Sequence, residues 1–186
     1  MTVEQYLEWD SCAERPSEYY DGVMYPIEAT SFRHGRIQQN LTFGIRRRFD
    51  EASSSCEVLG PTIRVRLPNK RYAYPDVVIV CGQIERDDKK YDTLLNPTAI
   101  VEVLSPSTAD FDRGGKADLY RAISTLKEYV IVAQDRMLVQ RYGRQGEEDW
   151  HLQQLSRPES LLRLESIGVE IQLREIYKRV DFESEA

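Results

Sequence analysis

Apolar positions along this chain repeat with two periods, and the period changes wherever turn-forming residues stand. Thr2 followed by Gln5 is a capping-box pattern, and it predicts a short helix over residues 3–9. Two aromatic-rich runs flank Asp21-Gly22, the dipeptide suited to a type I′ turn, and predict a hairpin. Ser31 can cap a helix reaching to about Phe49, because Ile37, Leu41, Ile45 and Phe49 recur every four residues. From there the period falls to two. Cys56–Gly60 reads as a strand, as does Thr62–Leu67, where Ile63, Val65 and Leu67 alternate with Thr62, Arg64 and Arg66.

Pro75 opens an apolar run, Asp76–Gly82, with the character of a buried strand; a charged connection follows, then a second run at Thr98–Ser105. A helix is expected over about residues 112–123, followed by two or three strands between Lys127 and Ser156. The chain closes with a strand or turn and a short amphipathic helix, and the tail from about residue 181 is expected to fray. No repeat or linker divides the sequence, so residues 1–186 are expected to form one domain. Helices before and within a run of strands indicate a mixed α/β (α+β) fold.

Composition narrows the functional classes. With 41% apolar and 30% charged residues the chain is ordinary for a water-soluble domain. No run approaches the roughly 20 apolar residues a bilayer span needs, and the acidic N-terminus lacks a secretory pattern, so a cytoplasmic protein with no membrane partner is expected. Three cysteines, Cys12, Cys56 and Cys81, are too few and too scattered for a disulfide framework, and Cys81 is expected to be buried and inert. The net charge of −6 argues against a surface that grips nucleic acid all over. That charge is uneven. Residues 31–72 hold nine basic residues against three acidic ones, a local +6 that permits a confined polyanion-binding face.

Three residues break their local pattern. In Ala99–Leu104 every neighbour of Glu102 is apolar, and alternation puts Glu102 on one face with Ile100 and Leu104. A carboxylate there is costly unless it is paired or metal-bound. Asp76 stands at the mouth of the other apolar strand, where Pro-Asp could also be simply a turn. Lys116 shares a helix face with Leu119, Tyr120 and Ile123, so an ammonium begins the stripe that should dock on the sheet. Two carboxylates on neighbouring strands can hold a Mg²⁺-class ion. A lysine projecting toward them can activate water or neutralise charge on phosphate. His34, at the start of the long helix, reads as structural, and Tyr72, Tyr74 and Trp150 read as core aromatics before base-stacking ones.

These segments, namely EYYDG, the His34–Asn40 stretch, YPDVVIVC, NPTAIVEVLSPST, DRGGKADLY and LKEYVIV, resemble the Uma-two family of restriction endonucleases within the PD-(D/E)XK nuclease superfamily. The likeness runs from the first helix to about residue 134. It implies a restriction-endonuclease-like fold, a central mixed β-sheet flanked by helices. It implies Asp76 and Glu102 as ligands of Mg²⁺ (or Mn²⁺), with the Val103 carbonyl completing the metal site and Glu18 supporting it. Lys116 takes the catalytic lysine's role from the following helix, because the superfamily's usual position, two residues after the acid, holds Leu104. Gly60-Pro61-Thr62 departs from the acidic residue that relatives carry there.

The resulting expectation is a metal-dependent endonuclease hydrolysing phosphodiester bonds in DNA. It is expected to act as a homodimer, since cutting both strands suits two sites related by a two-fold. Two alternatives stand beside it. One is a non-catalytic nucleic-acid-binding or assembly module that keeps the nuclease fold. The other is a different soluble protein in which Glu102 and Lys116 form only a buried ion pair.

Overall fold

The predicted helix starts are found where their caps stand. In the computed structural model, which describes residues 1–87, 91–104 and 114–182, α1 spans Val3–Asp10 with the reciprocal Thr2–Gln5 capping box in place. The hairpin β1 (Ser17–Tyr20) and β2 (Val23–Pro26) turns at Asp21 and Gly22, both at positive φ, as a type I′ turn requires. The long helix α2 (Phe32–Ala52) is capped by Ser31, whose Oγ accepts from the His34 N–H. Its inward stripe of Ile37, Leu41, Ile45 and Phe49 is buried, about 1.5–3 kcal/mol of stabilisation per side chain.

The strands that follow are β3 (Cys56–Leu59), β4 (Val65–Leu67), β5 (Arg71–Ala73), β6 (Val77–Cys81) and β7 (Ala99–Leu104). After α3 (Gly115–Arg121) come β8 (Glu128–Ala133), β9 (Val139–Arg144) and β10 (Trp150–Leu155). The closing segment, expected to hold one strand or turn, forms a full hairpin, β11 (Leu161–Leu164) and β12 (Val169–Gln172), before the one-turn α4 (Leu173–Ile176). Phe182 packs its ring on Tyr177. Residues 183–186 lie outside the described residues, as do the Ser105–Thr108 and Asp112-Arg113 parts of the matching motifs and the expected start of the 112–123 helix.

A six-stranded mixed sheet, ordered β10-β9-β8-β7-β6-β3, forms the centre, with β7 and β8 parallel and the other neighbours antiparallel. One face, carrying Val77, Ile79, Ala99, Val101 and Val103, packs against α2, the β11–β12 hairpin and α4. Gly44 marks the tightest approach of α2: a Cβ there would meet Ile171 Cδ1 at 2.6 Å. The opposite face, carrying Val78, Val80, Ile100 and Leu104, packs against α3 and a four-stranded antiparallel sheet, β2-β1-β5-β4. Tyr6 of α1 stacks on Tyr19 at the back of that second sheet. Both faces of β6 and β7 are therefore covered, which explains their unbroken apolar sequence.

Two expectations fail here. Arg64, counted with the basic residues of a confined polyanion-binding face, is buried, and its guanidinium lies 2.6 Å from Asp10 Oδ2 while also donating to Thr93 Oγ1 and the Tyr91 carbonyl. The short β4 begins only at Val65, so the strand period does not govern Arg64. Cys56 and Cys81 are joined by a disulfide, because β3 and β6 pair in a register that sets them directly opposite. Spacing along the chain could not reveal this contact, which comes from an antiparallel pairing across 25 residues. Reducing conditions of the kind found in cytosol favour the thiols. Closing a loop of this size is worth about 2–4 kcal/mol, so urea unfolding of the oxidised wild type should lose that much on adding dithiothreitol. Cys56→Ser should show no such change. Identical curves for the wild type under both conditions would mean that the bond does not contribute.

Candidate active site

The β6–β7 register places the site. Val77 pairs with Val101, so Asp76, one residue before the ladder, falls opposite Glu102. Two bonds fasten Asp76 to β7. The Asp76 N–H donates to Glu102 Oε2 at 3.2 Å, and the Val103 N–H donates to Asp76 Oδ2 at 2.8 Å. Alternation then turns Glu102 to the α3 face, as the sequence predicts, where it is 4% exposed.

On that face α3 supplies the cation. Lys116 is equally buried, and its Nζ lies 2.8 Å from Glu102 Oε1 and 2.9 Å from Glu18 Oε1. Tyr120, one turn further along α3, donates its hydroxyl to Glu102 Oε1 at 2.8 Å. Glu18 arrives from β1 and is held by the Tyr20 hydroxyl at 3.0 Å and the Tyr74 N–H at 3.2 Å. Burial, reinforced by Glu102 and Glu18, raises the Tyr120 hydroxyl well above its ordinary pKa; burial, then Glu18, does the same to Tyr20. Both phenols therefore remain neutral donors to carboxylates at physiological pH.

Asp76, Glu102, Lys116 and Glu18 thus converge from four separate segments. Val103 reaches the cluster through its N–H. Sequence reasoning passed over two further members. His34 Nε2 lies 2.7 Å from Asp76 Oδ1, and Gln38 Nε2 donates to the Asp76 carbonyl at 2.9 Å and to Oδ1 at 3.3 Å. Their signal was available: on the helix that Ser31 starts, His34 and Gln38 share the inward side with Ile37 and Leu41. Among the described residues, three carboxylates here face one ammonium and one imidazole. No set of three or more His, Cys, Asp or Glu side chains among them stands ready-made as a metal cage. The carboxylates are hard oxygen donors of the type Mg²⁺ and Mn²⁺ take, and Mg²⁺ commonly needs only one or two of them beside water and phosphate.

Among the described residues, five of the nine basic residues in residues 31–72 are paired with carboxylates within the fold. Arg64 pairs with Asp10, Arg66 with Asp87, Arg71 with Asp21, and Arg47 and Arg48 with Glu175. Arg36 and Arg46 donate to the carbonyls of Arg179 and Val58. Much of the local +6 is therefore met by carboxylates from outside the segment. The aromatic residues follow their structural reading: Tyr72 is buried, Tyr74 bonds to Asp10, and Trp150 lies under Arg144 with the guanidinium 4.4 Å from its ring.

This arrangement can be set beside known proteins. The family model Uma2, described as "Putative restriction endonuclease", matches residues 3–174. The chain belongs to that family. Two Synechocystis proteins align with this Uma2 chain, both described as uncharacterized: slr1290, 30% identical over 98% of the chain and 94% of its own length, and sll1609, 31% identical over 83% and 87%. The crystal structure of "a putative nuclease belonging to DUF820" from Anabaena variabilis superposes with a TM-score of 0.76, covering 95% of the Uma2 chain and 97% of its own. At 17% identity that likeness establishes a shared fold. No helix among the described residues is long and apolar enough to cross a membrane.

Proposed function

We propose that this Uma2 protein is a metal-dependent endonuclease that hydrolyses phosphodiester bonds in DNA. The observation that carries the reading is the position of Lys116 Nζ, within 2.9 Å of Glu18 and Glu102, beside an Asp76 that register sets opposite Glu102. A buried excess of carboxylate over ammonium favours a divalent cation. Asp76 and Glu102 hold Mg²⁺ or Mn²⁺ in this reading. The Val103 carbonyl is the third oxygen, since a strand residue's C=O and N–H point to the same edge and this N–H already meets Asp76. The chemistry supplied with the ion is polarisation of a phosphoryl oxygen and a water acidic enough to attack at neutral pH.

The chain's own residues do the rest. Lys116 presents its ammonium to the negative charge that grows on the phosphate oxygens, in a site with little water to compete. Glu18 holds Lys116 in place, and the Tyr20 hydroxyl and Tyr74 N–H hold Glu18. Tyr120 fixes the Glu102 carboxylate from α3. Two copies related by a two-fold present two such sites to a duplex, which fits a homodimeric enzyme.

Metal-titrated nicking of supercoiled plasmid tests the proposal, with Glu102→Ala as the control. The wild type should nick only with Mg²⁺ or Mn²⁺ and stop on adding EDTA. The variant should be slower by about 10²–10³-fold or more, with unchanged circular dichroism. Metal-independent nicking, or undiminished nicking by Glu102→Ala, overturns the assignment. Salt-sensitive DNA binding without cleavage at any metal concentration favours the non-catalytic module.

A further inference from the structure

Of the groups buried at this site, His34 has the least explained surroundings. It is 6% exposed, its Nε2 meets Asp76 Oδ1 at 2.7 Å, and its Nδ1 is buried with no hydrogen-bond partner among the described residues. An ionised carboxylate only accepts, so Nε2 carries the hydrogen in this contact. A ring kept for packing alone would be better replaced by an apolar side chain, because burying an unmet polar nitrogen is costly. The bond to Asp76 is what distinguishes His34 from such a residue.

We propose that His34, with Gln38 one turn later, is a positioning residue that aims the Asp76 carboxylate at the metal; this rests on the metal-dependent nuclease reading above. The clamp closes from two elements. Helix α2 supplies two side-chain donors to Oδ1, and β7 supplies the Val103 N–H to Oδ2. Gln38 also holds the Asp76 backbone through its carbonyl. Asp76 stands outside the β6–β7 ladder, where strand hydrogen bonds no longer fix it, so its direction depends on these donors. The phase of the clamp is set by Ser31. Its Oγ accepts from the His34 N–H and donates to Gln134 Oε1 at 2.5 Å, tying the start of α2 to the end of β8. Groups that orient a metal-binding side chain typically change metal affinity about 10–100-fold when removed.

The test is the Mn²⁺ dependence of the melting temperature, measured without DNA on the full chain, for wild type, His34→Ala, His34→Gln and Gln38→Leu. The Mn²⁺ midpoint for plasmid nicking is measured alongside. His34→Ala should need about 10–100-fold more Mn²⁺ to reach half its thermal shift, at a melting temperature in EDTA close to wild type. His34→Gln should recover most of that loss, because its amide offers an N–H near the place of Nε2. If His34→Ala does not fold, Gln38→Leu against His34→Gln carries the comparison, with a higher midpoint expected for Gln38→Leu. A wild type that responds to Mn²⁺ alongside an unshifted His34→Ala overturns this inference alone. His34→Gln failing as badly as His34→Ala overturns it too, since the ring itself would then be required. A wild type with neither a Mn²⁺-dependent shift nor cleavage overturns this inference and the nuclease reading together.

Discussion

Lys116→Met is expected to abolish cleavage and, separately, to destabilise the protein. The catalytic loss should be about 10²–10⁴-fold, the range for removing a positioned proton donor or charge stabiliser. The stability loss has another origin. With Lys116 gone, Glu18 and Glu102 are left near one another without the ammonium that lies within 2.9 Å of both. Breaking a buried pair by removing one partner costs about 3–5 kcal/mol. If divalent ions bind here, Mg²⁺ or Mn²⁺ should restore part of this stability in Lys116→Met while leaving it inactive. Urea unfolding in EDTA and in Mn²⁺ measures the first effect, and plasmid nicking measures the second. A variant as stable as wild type in EDTA would mean that the carboxylates are not held by this lysine, and retained cleavage would remove Lys116 from the chemistry.

The other large effect lies away from the site. Arg64→Ala should lower stability by about 3–5 kcal/mol, or about 10 °C in melting temperature for a chain of this size. The Asp10 and Arg64 side chains are 0% and 4% exposed, so solvent does little to screen the charge left behind. Loss of the guanidinium also removes the donor to Thr93 Oγ1 and to the Tyr91 carbonyl. Asp10 retains the Ser17 N–H and the Tyr74 hydroxyl, whose pKa burial and the Asp10 bond raise. Arg64→Met with Asp10→Leu should recover much of the loss, because an apolar pair of similar volume carries no unpaired charge. Calorimetry of the single and double variants decides this. A double variant no better than Arg64→Ala would place the cost in packing and in the Ser17 N–H and Tyr74 hydroxyl that Asp10 accepts from, and not in charge.

Legibility in the sequence followed the range of the interactions. The phase of β7 was readable, and with it the face of Glu102, because alternation is local and every neighbour of Glu102 is apolar. The inward direction of Lys116 was readable for the same reason at a period of 3.6. What could not be read was pairing. Asp76 alone looked like an ordinary turn residue, and only the antiparallel register of β6 and β7 sets it opposite Glu102. Cys56 and Cys81 were missed through the same kind of ignorance. The burial of Arg64 was not readable, because a three-residue strand leaves its flanking residue outside the period. His34 satisfied the test applied to Lys116, a polar group on an apolar stripe, but its place at a helix start offered a simpler explanation. Charge counting was the coarsest guide, since formal charge ignores the carboxylates that Arg66, Arg71, Arg47 and Arg48 meet.

The contact between Glu18 and Lys116 joins residues 98 positions apart, and those between His34 and Asp76 and between Asp76 and Glu102 span 42 and 26. Loop closure becomes more costly with each such span, and a topology rich in distant contacts folds slowly. The constellation therefore has no local nucleus. It comes into being only when the first hairpin, the long helix, the two central strands and α3 have all docked. Neither half of the chain, divided between β6 and β7, holds the whole of it: the first carries Glu18, His34 and Asp76, the second Glu102 and Lys116.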